Sequence, residues 1–107
     1  MKREKEPNMR ETFFKAFLDL IILKTLKEQP MTGYKMIRVF NKKFGILPNS
    51  STIYSHLENM ENKKWIKQLP ANDGKTYTLT PQGQRIINNM NVFTHEIRDA
   101  VRTMMEN

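Results

Sequence analysis

The sequence predicts a mainly α chain of the α+β class, with three helices, a two-stranded hairpin and a long final helix in that order. Three observations carry this. Apolar residues recur at three- and four-residue steps in four separate stretches, the pattern of helices that bury one face. Two short runs with strand character, Trp65–Leu69 and Lys75–Leu79, flank Pro70-Ala71-Asn72-Asp73-Gly74, where Asp-Gly is a hairpin signal. Proline or glycine punctuates the boundaries, at Pro30, Gly45, Pro48 and Pro81.

Taken in order, the first helix runs from about Met9 to Glu28. Phe13, Phe14, Phe17, Leu18, Leu20, Ile21, Ile22, Leu23 and Leu26 cover more than the single stripe that a surface helix needs. Such a helix must be covered from two directions; the rest of the domain is one cover, and a partner subunit is a candidate for the other. Gln29-Pro30 stops it, because the residue before proline avoids the helical region. Thr32 is placed to cap a second helix, from Gly33 to about Lys43. Its expected buried stripe is Gly33, Ile37, Phe40 and Phe44, and Lys35, Arg38 and Lys42 form a cationic stripe opposite. Gly45 ends that helix, Ile46-Leu47-Pro48 connects, and Asn49, Ser50 or Ser51 caps the third. There Ile53, Leu57 and Met60 are the core face. Ser51, Thr52, Ser55, Glu58, Asn59 and Asn62 lie opposite, with Tyr54 and His56 flanking. After the hairpin, Thr80 caps the last helix and Pro81 takes its first position. Along it Ile86, Met90, Phe93, Ile97, Val101 and Met104 form a near-heptad seam, the pattern of a helix that packs on another helix.

At 107 residues, 27% charged and 38% hydrophobic, the chain is composed as one polar-surfaced domain with a modest core that a second copy would enlarge. It has no cysteine, which excludes disulfides and thiolate metal sites. The N-terminal MKREKEPNMRE is not followed by a signal-like apolar region. The apolar run Phe13–Leu26 is interrupted by Lys15, Asp19, Lys24 and Thr25, too charged for a membrane span. A cytoplasmic location without membrane contact is expected. Eight cations and three anions lie between Met31 and Thr80, so most of the formal net charge of +7 sits mid-chain. That concentration points to a polyanionic partner.

Three helices, a hairpin and a long helix are the order of a winged helix-turn-helix. In that fold the third helix enters the DNA major groove and the hairpin, the wing, reaches along the duplex. Cations on neighbouring elements hold phosphates without reading sequence, whereas short hydrogen-bonding side chains read base edges. The expected backbone contacts are Lys35, Arg38, Lys42, Lys63 and Lys64, with Lys75 beside the wing tip and Asn49 at the head of the third helix. Ser51, Thr52, Ser55, His56 and Asn59 are expected to face bases. The expected division is a DNA-binding domain over 1–80, whose first helix also serves the dimer, and a dimerisation helix over 81–107.

Several ordered pieces of the sequence resemble the PadR family of transcriptional regulators in its short form, over a span from about Phe14 to the last helix. They are Leu20-x-x-Leu23-x-x-Leu26 followed by Pro30, then Gly33-Tyr34-Lys35-Met36-Ile37, then Thr52-Ile53-Tyr54-x-x-Leu57-x-x-Met60-Glu61. Trp65-Ile66 and Tyr77-Thr78-Leu79-Thr80-x-x-Gly83 complete the set. The resemblance implies a homodimeric, sequence-specific, double-stranded-DNA-binding regulator, a repressor by analogy. It also implies that Tyr54 touches the DNA backbone and that the C-terminal helix packs on the partner's N-terminal helix. Phe13, Phe14, Phe17 and Ile21 would then meet Ile86, Met90, Phe93, Ile97, Val101 and Met104. Two departures stand out. Many family members have a glycine before the first wing strand, where this chain has Lys64; a left-handed Asn62 is the expected substitute for ending the helix. The wing tip, Asn72-Asp73-Gly74, is thin in positive charge.

Some relatives bind aromatic effectors between subunits, and Phe14, Phe17, Met90 and Phe93 are the residues that would line such a site, although the same stripe serves as plain dimer core. His56 and His95 lie in no metal-binding spacing, and there is no phosphate-cradling glycine loop and no nucleophile–base pair. The chain is therefore expected to be no enzyme and to use neither metal nor cofactor. The competing readings are a DNA-organising or plasmid-partition protein on the same fold, and a winged helix turned to protein interaction.

Overall fold

The computed structural model describes residues 17–70 and 75–106. Helix α1 (Leu18–Glu28) leads through strand β1 (Met31–Thr32) into helices α2 (Gly33–Phe44) and α3 (Ser50–Asn62). Strands β2 (Ile66–Leu69) and β3 (Thr76–Leu79) follow, and helix α4 (Pro81–Met105) ends the order. The expected start of the first helix, with Phe13 and Phe14, and the expected wing tip at 71–74 lie outside the described residues.

The core is built where the three short helices meet the sheet. Ile22, Leu23 and Leu26 from α1, Met36 and Phe40 from α2, and Ile53, Leu57 and Met60 from α3 converge on Ile66, Tyr77 and Ile87, all buried. Each such side chain contributes about 1.5–3 kcal/mol by leaving water. Thr25 is buried as well, and its hydroxyl donates to the Ile21 carbonyl at 2.7 Å, so its burial leaves no polar group unpaired.

On α2 the expected stripe needs correcting. Gly33, Met36 and Phe40 are its buried residues; Ile37 is half-buried and Phe44 exposed. Two sets at three- and four-residue steps share Gly33 and Phe40, so periodicity alone does not choose between them. Docking on β1 and α3 selects the side that carries Met36. Phe44 is left at the rim, its ring tilted against Phe40 with centroids 6.3 Å apart.

The sheet also has one strand more than the hairpin expected. Its order is β1-β3-β2, antiparallel throughout, with Met31 opposite Tyr77 and Ile66 opposite Leu79. At two residues, β1 is too short to leave an alternation in the sequence. The two wing strands each begin one residue later than expected.

Most helix ends are capped as read. Thr32 Oγ1 accepts from the Lys35 amide at 3.1 Å, Asn49 caps α3, and Gly45 closes α2 at φ 66°. The end of α3 is the exception. Asn62 stays in the helix, and Lys64 takes the left-handed turn at φ 67°. The Lys64 amide donates to the Glu61 carbonyl at 3.0 Å, and the Trp65 amide donates to the Met60 carbonyl, also at 3.0 Å. This is a Schellman closure, with lysine at the position that glycine usually fills.

Candidate nucleic-acid interface

The sequence offers α3 as a reading helix, and packing decides how it is presented. Ile53, Leu57 and Met60 anchor it in the core, so Ser51, Tyr54, Ser55, Glu58, Asn59 and Asn62 stand exposed on the other side. Thr52 and His56 are half-buried at its flanks. Asn49 Oδ1 accepts from both the amide and the hydroxyl of Ser51, at 2.8 and 2.6 Å, which orders the first turn. His56 turns inward, with Nδ1 2.6 Å from Asp19 Oδ1 on α1.

Tyr54 owes its place to a glycine on another helix. A Cβ added at Gly33 would stand 2.7 Å from Tyr54 Cε1, so the ring lies directly against the start of α2. Only a residue without a side chain permits that approach. Next to Tyr54, the buried Tyr77 has its hydroxyl pushed above the ordinary tyrosine range, by burial first and then by Glu61, Tyr54 and Glu58.

The expected cations divide by element. On α2, Lys35, Arg38 and Lys42 are exposed and have no ion-pair partner among the described residues. They border an open groove of about 610 Å³ with Tyr34, Val39 and Leu47. Tyr34 is 66% and Leu47 74% exposed, so apolar surface is interleaved with the charge. Lys63 behaves differently, because its Nζ lies 4.6 Å from the Trp65 ring centroid and folds onto the base of the wing. Lys64 and Lys75 are exposed at the two ends of the wing strands. Lys43 pairs with Glu28 at 3.8 Å.

A second surface runs along α4. Ile86, Met90 and Ile97 are half-buried, and Phe93, Val101 and Met104 are exposed. Phe17 and Ile21 on and beside α1 are half-buried. Among the described residues, no helix is long and apolar enough to cross a membrane.

Residues 22–89 match the sequence pattern of the Transcriptional regulator PadR-like family, which is more than half of the chain. The chain belongs to that family. PadR-like proteins are transcriptional regulators and not enzymes, and the fold is their winged helix. Solved structures agree. A PadR-family regulator from Eggerthella lenta DSM 2243 is 23% identical, with a TM-score of 0.82 over 92% of this chain and 90% of that one. One from Clostridium difficile R20291 is 21% identical, with a TM-score of 0.76 over 83% of this chain and 98% of that one. Bacillus subtilis PadR, solved in complex with operator DNA, is 24% identical, with a TM-score of 0.64 over 70% of this chain and 46% of that one. No curated protein matches the sequence.

Against this PadR-like frame, the residues that sequence reasoning missed are those defined by contacts between distant segments. The glycine that many family members place before the first wing strand falls on Lys64, the one non-glycine residue with positive φ among the described residues. Asp19 carried no signal beyond interrupting an apolar run. Leu47 stands in an extended connector beside the buried Ile46, and nothing in Ile-Leu-Pro says which of the two faces inward.

Proposed function

We propose that this PadR-like protein is a homodimeric, sequence-specific DNA-binding transcriptional regulator, a repressor, that reads the major groove with α3. The observation that carries the reading is the outer face of α3. It is polar, open and rigidly backed, beside a helix on which Lys35, Arg38 and Lys42 have no acidic partner among the described residues. Ser51, Thr52, Ser55 and Asn59 face base edges; Lys35, Arg38, Lys42, Asn49, Tyr54, Lys64 and Lys75 hold the backbone. Lys63, engaged with Trp65, is the weakest of the backbone set. Glu58 shares the outer face of α3 and repels phosphate, which favours base contact over backbone contact along that face. The apolar stripe of α4 pairs with α1 of a second copy, and twofold symmetry then calls for half-sites about one helical turn apart.

The test is a fluorescence-anisotropy titration with the gene's upstream DNA and a scrambled duplex of equal length, over a salt series. Preference for the upstream fragment that survives moderate salt is expected. Asn59→Ala relaxes that preference, whereas Lys35→Ala weakens both duplexes alike and flattens the salt slope by about one. Equal and steeply salt-dependent binding to both duplexes would favour a DNA-organising protein, and no binding to either would favour a protein-interaction module.

A further inference from the structure

Asp19 and His56 stand 37 residues apart in sequence and 2.6 Å apart in space. Asp19 lies in the first turn of α1, and His56 is in the middle of α3. A carboxylate only accepts, so the hydrogen is on Nδ1 and the imidazole donates. The other ring nitrogen, Nε2, has no partner among the described residues and is not a sealed, unpaired atom, so it meets solvent. The two side chains are 33% and 37% exposed.

Among the described residues this is the one side-chain hydrogen bond that joins α3 to another helix. The remaining contact between α1 and α3 is apolar packing, which is non-directional and tolerates small rotations and slides. A bond from Nδ1, the nitrogen nearer the backbone, has a short lever and resists rotation of α3 about its own axis. Base readout needs side chains held within about 0.5 Å and 10–20°. Backbone contact by long lysines does not.

We propose that His56 is a positioning residue. Through Asp19 it sets the rotation of α3 against α1 and so aims Ser51, Ser55 and Asn59 at base edges. The proposal rests on the reading of α3 as the base-reading helix. Because α1 also packs on α4, the same bond ties the reading helix to the frame that sets half-site spacing in the proposed dimer. Breaking it leaves a folded protein that binds DNA and discriminates poorly, since a loosened helix must be ordered again at each specific site.

The test separates the two nitrogens. In His56→Asn the side-chain amide takes the place of Nδ1 and keeps the bond to Asp19; in His56→Gln it takes the place of Nε2 and loses that bond. The preferred site is selected from a random duplex pool with the wild type. Affinities for it and for a scrambled duplex are then measured for each variant, with circular dichroism and thermal melting on the same samples. His56→Gln and Asp19→Ala should reduce the preference ratio by roughly five- to tenfold, about the net value of one ordinary hydrogen bond, with scrambled-duplex affinity nearly unchanged. His56→Asn and Asp19→Asn should stay within about twofold of wild type. Retention by Gln and loss by Asn would overturn the proposal and make His56 a direct contact through Nε2. Preference retained by every variant would overturn it too. A wild type that selects no preferred site would instead overturn the underlying reading of α3.

Discussion

The body of the protein and the second half of α4 follow the same spacing rule with opposite results. In the body, apolar residues at three- and four-residue steps end in a closed core, with Met36, Phe40, Ile53, Leu57 and Met60 fully buried. Along α4 the stripe begins the same way, with Gly83 and Ile87 buried, and then runs out into solvent. Phe93 is 51% and Met104 69% exposed. A helix of 25 residues, about 37 Å long, outreaches the domain it leaves. Periodicity thus specifies which face is apolar and says nothing about what covers it. In this PadR-like protein the body answers that question within one chain, and the tail leaves open the face that the proposed dimer would cover.

The sharpest way to break this contrast is Phe93→Asp. The body loses nothing, because Phe93 is exposed, whereas the proposed dimer would have to bury a carboxylate in its apolar seam. Sedimentation should report a monomer, and affinity for a duplex with two half-sites should fall by at least about 100-fold as avidity is lost. A variant that remained dimeric would end the assignment of this stripe. Next comes the joint between the two regions. A Cβ at Gly83 would stand 2.1 Å from the Trp65 carbonyl oxygen, which is backbone and cannot step aside. That carbonyl also accepts from the Thr80 amide at 3.1 Å and from the Thr80 hydroxyl at 3.0 Å. Gly83→Ala should therefore cost about 3 kcal/mol and lower the melting temperature by more than about 10 °C.

Two smaller effects probe the body alone. Lys64 holds a left-handed conformation that costs an L-residue about 1 kcal/mol. Lys64→Gly should stabilise by roughly that amount, whereas Lys64→Ala, which keeps a Cβ, should change little; chemical denaturation distinguishes them. The smallest effect is at high pH. Burial raises the Tyr77 hydroxyl above its ordinary value, so the native state keeps a proton that the unfolded chain gives up. The resulting stability is complete below about pH 10 and declines as pH rises from there toward the raised value. Melting curves should show this decline in the wild type and lack it in Tyr77→Phe.

Much of the fold and the candidate interface was legible in the residues themselves. Thr32, Asn49 and Thr80 announce helix starts because their short side chains accept from the chain's own amides. Ile53, Leu57 and Met60 announce a core face that leaves the polar residues of α3 outward. These are local facts, settled within one or two turns. The α2 stripe was misread because two periodic sets share residues, and β1 was missed because two residues make no pattern. Neither the bond from His56 to Asp19 nor the seating of Tyr54 on Gly33 has a local signal, since each is an encounter between separate elements.

The sequence by itself determined the order of the helices and the two wing strands, most of the helix caps, the apolar face of three helices and the concentration of positive charge mid-chain. Each of these depends on backbone geometry and on side chains a few residues apart. Only the tertiary structure decided which side of α2 is buried, which glycine admits the Tyr54 ring and which carboxylate meets His56. Those outcomes depend on how whole elements are oriented in space, and orientation is set by the joint packing of surfaces that no single stretch of sequence contains.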